Sequence, residues 1–361
     1  MTRLTYSCTV LSAALVASCF LPLPAKAQTS LTDSVAVPKT PGGSVMSYML
    51  EARNRATSID GKTASRVYGG RPAAKGAWPA QVALLAEVPP DPNVTGPQAR
   101  EGNSYQQFCG GSVIARQWIL TAAHCVMQGD GSLIDPSKLL VMTGSTRLGE
   151  GDLRPAALII AHEAYDSFFI DNDIALVKLA EPIGQSGGPV GATPVLRPGE
   201  PMPTGDAVVA GWGFTEKNEI PIDLLETDIQ VLPNQTCNRG MAEQTKRDFG
   251  SFLMNMGTAN RIPEAKLNDA YAILTSNLGD VLTDNMICAG VASGERTSCN
   301  GDSGGPLMMK RMDGSWVQVG IVSWGRIPLN STQRCGHPEL YSVYSRVSNY
   351  FDWISTKIRT N

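Results

Sequence analysis

Cys299-Asn300-Gly301-Asp302-Ser303-Gly304-Gly305-Pro306 sets one serine hydroxyl in a glycine-rich turn that a substrate backbone can approach closely. A serine hydroxyl alone is a weak nucleophile. It needs a base to take its proton and donors to hold the oxyanion that forms, and such a turn aims the backbone N–H groups of Gly301 and Ser303 at one point. Working outward, Ile119-Leu120-Thr121-Ala122-Ala123-His124-Cys125 offers a histidine after an apolar run, and Asp171-Asn172-Asp173-Ile174-Ala175-Leu176 offers a carboxylate at the head of a strand-like segment. The three candidate groups occur in the order His, Asp, Ser, one of the orders in which such triads are found.

With these motifs the chain resembles the trypsin/chymotrypsin family of serine endopeptidases from about Val67 to Ile358. The likeness extends to Arg66-Val67-Tyr68-Gly69-Gly70, which is similar to the family's activation junction, and to Gly211-Trp212-Gly213, Ser323-Trp324-Gly325 and Val343-Tyr344-Ser345-Arg346-Val347. It implies an all-β fold of two antiparallel six-stranded barrels, with the active site in the cleft between them and a C-terminal helix. It also implies the pairings Cys109–Cys125, Cys237–Cys288 and Cys299–Cys335. The residues themselves leave the cysteine pairing open.

Bulk composition excludes some functions. The 361 residues are 42% hydrophobic, enough for a substantial core, and the formal charge of −3 without a basic run offers no footprint for nucleic acid. Arg3, the apolar stretch Val10–Leu23 and Ala25-Lys26-Ala27 read as a signal peptide over residues 1–27. Pro22 and Pro24 interrupt that stretch, so a stable membrane span is not expected. Val16-Ala17-Ser18-Cys19 is a rival lipoprotein site at which Cys19 would be acylated, although Phe20 and Leu21–Leu23 suit the inside of a leader better than the start of a mature protein. With Cys8 and Cys19 in the leader, six cysteines remain and point to an oxidising compartment, secreted or periplasmic. A zinc site is disfavoured by the lack of Cys-x-x-Cys and the presence of only three histidines; no metal or cofactor is expected.

Residues 28–66 hold too few apolar side chains for a core and read as a propeptide with one helix-like piece, Met46–Arg55. The peptidase domain is expected over 67–361, with a first barrel at about 67–185, a Gly/Pro-rich linker at about 186–204 and a second barrel with the helix at about 205–361. Short β-rich runs separated by turn clusters, such as Gln81–Leu85, Leu139–Met142, Ala207–Ala210 and Val317–Val322, suit antiparallel sheets closed into barrels. Phe351, Ile354 and Ile358 share a helical spacing, with Ser348 or Asn349 as the expected cap. Two stretches exceed the family's usual size: the loop Val88–Ser104, and Asn238–Ile287 with helix-compatible pieces at Met241–Met254 and Glu264–Asn277. The second is either a tolerated surface insertion or a selector of extended substrates.

The resemblance assigns Ser303 as nucleophile, His124 as base, Asp173 as its orienting carboxylate, and Gly301 and Ser303 as oxyanion donors. Asp171 is the nearest rival to Asp173, and His162 and His337 are expected to be structural. Cleavage after Arg66 would free an ammonium group on Val67 to pair with Asp302, so an external trypsin-like activating protease is implied, as are protein or peptide substrates. By the same resemblance Thr297 falls at the base of the primary pocket with Ser298 beside it; Ser323 and Trp324 are further substrate-binding candidates, Gly325 lines the entrance and Ser342 narrows the pocket. With no carboxylate at Thr297, uncharged apolar residues are expected before the scissile bond, Glu339 being the other route to a basic preference. A monomer is expected. The alternative function is a catalytically inactive homologue serving in binding or adhesion.

Overall fold

The computed structural model describes residues 68–88, 99–100, 103–184, 191–203, 205–329 and 331–361. The signal-peptide and propeptide readings, Cys8, Cys19, Arg66 and Val67 lie outside these residues, as does most of the 88–104 loop. The first half contributes strands β1 (Arg71–Pro72), β2 (Gln81–Val88), β3 (Ala99–Arg100), β4 (Asn103–Ala115), β5 (Trp118–Thr121), β6 (Leu139–Thr143), β7 (Asp152–Ala161) and β8 (Ala175–Leu179). The second contributes β9 (Ala207–Gly211), β10 (Leu225–Leu232), β11 (Met286–Gly290), β12 (Pro306–Lys310), β13 (Trp316–Trp324) and β14 (Ser342–Arg346).

Each set closes on itself. The order β2-β6-β7-β8-β5-β4 returns to β2, and β9-β10-β11-β14-β13-β12 returns to β9, giving two six-stranded antiparallel barrels. Short β3 extends the first sheet beside β4, while β1 pairs with β10 of the second. The sequence of β2 shows why the barrels stay together. Side chains alternate across a strand: Val82, Leu84 and Ala86 enter the first barrel's core, while Ala83 and Leu85 face Ala210 and Trp212 of the second half. Both faces are therefore apolar, and truncating Leu84 or Leu85 to Ala costs about 2–5 kcal/mol.

The connection between the barrels is pinned to each. Thr193 N donates to Val113 O at 2.8 Å on the first barrel, and Leu196 N and Gln318 N exchange bonds of 2.9 Å with Gln318 O and Pro194 O on the second. Ser112 Oγ adds a bond of 2.7 Å to Gln318 Oε1.

Four helices complete the described chain. α1 (Ala123–Val126) is one turn after β5, and α2 (Asn234–Asn260) and α3 (Glu264–Thr275) form the insertion. α2 begins earlier than Met241 because Cys237, in its first turn, is tied to Cys288. It ends where Arg261 turns left-handed at φ 54° ahead of Pro263, which cannot continue a helix.

α4 (Phe351–Thr360) follows a 3₁₀ turn at Val347–Tyr350 and buries Ile354 against the first barrel. No side chain caps it: Asn349 instead donates to Asp284 O at 3.0 Å, so the expected asparagine cap is replaced by a tie to the loop before β11. Glu163 accepts from Trp353 Nε1 at 2.8 Å and pairs with Lys357. The Lys357 hydrogen bond holds the Glu163 carboxyl down to about 2. Because the folded value is depressed, the tether is fully present above the ordinary carboxylate range and is lost only as pH falls through about 2. A carbon-13 NMR titration of Glu163 should find that midpoint; one near about 4 would show that Lys357 does not hold it.

Candidate active site

His124 lies in α1, directly after β5, and Asp173 lies just before β8, the neighbour of β5 in the sheet. Strand pairing thus delivers the two residues to the same barrel rim. The approach to Asp173 is a tight turn: Asn172 adopts φ 54°, its N–H bonds Asp171 Oδ1 at 2.9 Å and its amide donates to Ala164 O at 3.0 Å. Asp173 then points inward. Its Oδ2 lies 2.6 Å from His124 Nδ1, and its Oδ1 accepts the His124 backbone N–H at 2.8 Å. A carboxylate only accepts, so Nδ1 carries the proton and Nε2 is left as a base.

Asp173 is fully buried. Burial pushes its carboxyl up, but attraction to the His124 ring in its protonated form and hydrogen bonds from that ring, from Ser323 and from the His124 N–H outweigh it, leaving the group below the usual range. Ser323 Oγ donates to Asp173 Oδ2 at 2.5 Å, and Ser345 Oγ donates to its backbone oxygen at 2.6 Å. Ser323 therefore has two tasks, since it also lines the pocket. Asp171 does not reach His124; its Oδ1 accepts from Thr283 Oγ1 at 3.1 Å, joining the two halves of the chain.

Ser303 sits in the turn before β12 and is tied to the first barrel through its backbone. Gly110 N donates to Ser303 O at 2.7 Å, and Thr121 Oγ1, three residues before His124, donates to Gly110 O at 2.8 Å. The Cys109–Cys125 disulfide closes the same region. On the other side, Gly304 N donates to Val322 O at 2.8 Å, next to Ser323. The serine turn is thus bracketed by the segments that carry His124 and hold Asp173.

Gly301 adopts φ 101°, in the region that favours glycine. Sequence reasoning missed its partner: buried Gln107 donates from Nε2 to Gly301 O at 2.8 Å and to Cys109 O at 3.1 Å, fixing that peptide's orientation. Asp302, completely buried, accepts from Gly213 N at 2.7 Å and Cys299 N at 2.8 Å. The glycines of Gly211-Trp212-Gly213 are explained by this carboxylate, because a Cβ at either would lie 2.1 or 2.6 Å from its atoms.

Next to Ser303 opens a cavity of about 70 Å³ lined by Thr297, Ser298, Ser323, Trp324, Gly325 and Ser342, the six residues expected from sequence, together with Arg326 and Arg334. Thr297 Oγ1 and Ser342 Oγ lie 2.6 Å apart, and Ser298 Oγ is 3.2 Å from the Tyr344 hydroxyl. The hydroxyls at the base thus satisfy one another. A Cβ on Gly325 would stand 3.9 Å from Ser342 Oγ, so glycine keeps the opening clear. Glu339 is exposed and is not among the residues lining the cavity. The Cys299–Cys335 disulfide ties one wall to the serine loop.

Tyr68, the second residue after the expected junction, is 5% exposed and its carbonyl accepts from Thr297 N at 3.3 Å.

The sequence profile of the Trypsin family matches residues 67–354. The chain belongs to the trypsin family. Among similar proteins, mannan-binding lectin serine protease 1 of Homo sapiens is 30% identical over 309 residues, covering 81% of this chain and 36% of that protein. Transmembrane protease serine 11G of Mus musculus is 29% identical over 294 residues, covering 81% and 55%. Transmembrane protease serine 7 of Homo sapiens is 32% identical over 294 residues, covering 80% and 27%. This trypsin-family chain spans from about a quarter to a little over half the length of these relatives.

The other two histidines each have partners of their own. His162 packs against the rings of Tyr350 and Trp353 at 5.3 and 5.1 Å, and His337 Nε2 donates to Gln333 O at 3.0 Å; burial lowers the pKa of both. Cys109, His124 and Cys125 lie together, but both sulfurs are in a disulfide and offer no thiolate to a metal. Among the described residues no helix is long and apolar enough to cross a membrane.

Proposed function

We propose that this protein is an exported serine endopeptidase, made as a zymogen and activated by cleavage after Arg66, with a preference for uncharged apolar residues before the scissile bond. The observation that carries the reading is the buried Asp173 carboxylate, which orients His124 at 2.6 Å on a segment linked through Thr121 and Gly110 to the Ser303 turn. Ser303 Oγ attacks the peptide carbonyl while His124 Nε2 takes its proton and passes it to the leaving amine. Asp173 steadies the imidazolium. The N–H groups of Gly301 and Ser303 receive the oxyanion, and water then releases the acyl group from Ser303 by the same proton path in reverse.

The preference follows from the floor of the cavity. Its hydroxyls bond one another, so an apolar end group strands no polar atom there. A lysine or arginine would meet no carboxylate, and an unpaired buried cation is heavily penalised. Export is supported by the disulfides, which take up every cysteine among the described residues. Activation is supported by Tyr68, whose burial against Thr297 links the junction to the pocket. An external trypsin-like protease supplies the cut, and a monomer is sufficient for catalysis because all three acting groups come from one chain.

Two measurements test this. An active-site-directed phosphonate should label Ser303 after cleavage at Arg66; absence of labelling would favour an inactive homologue. On peptides differing only before the scissile bond, Phe, Tyr, Leu, Met or Val should be cut at least about a hundredfold faster than Lys or Arg. The reverse preference would overturn the pocket reading.

A further inference from the structure

We infer that Asp248, on the helix inserted between Cys237 and Cys288, is a positioning residue that sets the wall of the primary pocket, so that extended substrates are selected from the insertion. This deepens the peptidase reading and rests on it. Gly240, Gln244 and Asp248 recur every four residues, and with Met241 they share one face of α2. That face is applied to the pocket from behind.

At the lower end, Gly240 lets the helix close on the chain before β14: a Cβ there would come within 2.2 Å of Glu339 O. Met241 is buried in one cluster with Leu340 and Tyr341, against which Trp324 packs. At the upper end, Asp248 Oδ2 pairs with Arg326 Nη2 at 3.2 Å. Its Oδ1 accepts from Leu329 N at 3.0 Å and from Gln244 Nε2 at 2.8 Å. Arg326, Ile327 and Leu340 line the cavity. One helix therefore contacts both chain segments, 326–329 and 339–341, that contribute these residues to the pocket lining.

The clamp is more than a solvated surface pair. The Asp248 side chain is only 15% exposed and that of Arg326 30%, so solvent screens the pair poorly, and removing one partner leaves the other charge partly buried. Asp248 acts through Arg326 and Leu329 and makes no contact of its own with the serine. Its loss should be felt where a substrate leans on the wall, and far less by a substrate that occupies only the floor.

The test compares Asp248→Asn with Arg326→Gln in the trypsin-activated full chain. Asparagine keeps an oxygen for Leu329 N but removes the charge opposite Arg326. Each protein is assayed on an N-acetyl-leucine ethyl ester and on a tetrapeptide anilide ending in leucine. For the tetrapeptide, Asp248→Asn should raise KM roughly tenfold with kcat within about twofold, the loss expected for one charged hydrogen bond. The ester should change by less than about twofold. Arg326→Gln should raise the tetrapeptide KM by a similar factor, and on that substrate the double variant should be no worse than either single, because coupled neighbours are not additive. Equal losses on both substrates, fully additive losses, or no change would overturn the inference. If activated wild type cleaves neither substrate, the peptidase reading itself fails; if it cleaves both while the variants match it, only the role of Asp248 is rejected.

Discussion

Ser303→Ala and His124→Ala are each expected to lower peptidase activity by roughly 10⁴- to 10⁶-fold while leaving a folded protein, and the double variant should be hardly worse than either single. The nucleophile and its base act as a unit, so removing one makes the other idle. Folding should survive because the serine turn is held through its backbone, by Gly110 N on Ser303 O and Gly304 N on Val322 O. Measured kcat/KM, with thermal midpoints as the control for folding, decides the matter. Substantial turnover by a verified Ser303→Ala protein would remove the assignment.

Asp302→Asn should also inactivate, by a different route. Both carboxylate oxygens accept backbone N–H groups, from Gly213 and Cys299. An asparagine amide must turn a donor toward one of them, in a site with no exposure. The turn presenting Gly301 N and Ser303 N would lose its shape, and the loss of even one oxyanion donor costs about 10²- to 10³-fold in kcat. The distinguishing sign is separation of cleavage from activation. Trace trypsin should cut wild type and variant alike after Arg66, exposing Val67, but only wild type should gain activity. Untreated wild type should stay intact, because a pocket floored by Thr297 is poorly suited to Arg66. Maturation of wild type alone, at a rate rising with its own concentration, would overturn both the external activator and the apolar pocket.

The motif residues of the site were legible in the sequence because each sits in a short stretch whose neighbours serve the same task. Gly211 and Gly213 are the plainest case, since both make room for Asp302. Thr297 and Ser298 were legible as candidates for the same reason, standing a few residues before Ser303, and both line the cavity beside it. What escaped notice depends on long-range pairing that no spacing rule encodes. Gln107 reaches Gly301 across 194 positions, and Ser323 reaches Asp173 across 150. Neither a glutamine nor a serine announces such a partner. The insertion was visible as excess length with helical pieces, but its start at Asn234 is set by a disulfide and its orientation by Asp248, both tertiary facts. The asparagine cap expected for α4 failed similarly, because Asn349 found a better partner in Asp284 O than in its own helix.

The pinned crossing between the barrels has a mechanical consequence. Thr193 grips one barrel while Pro194 and Leu196 grip the other, and Ser112 bolts directly to Gln318. Two jaws fastened at their back by adjacent residues cannot swing apart without breaking several hydrogen bonds together. On the peptidase reading proposed above, a chain entering a cleft fastened in this way would have to be pliable, so exposed loops and unfolded segments are the expected targets in preference to the same sequence buried in a folded domain.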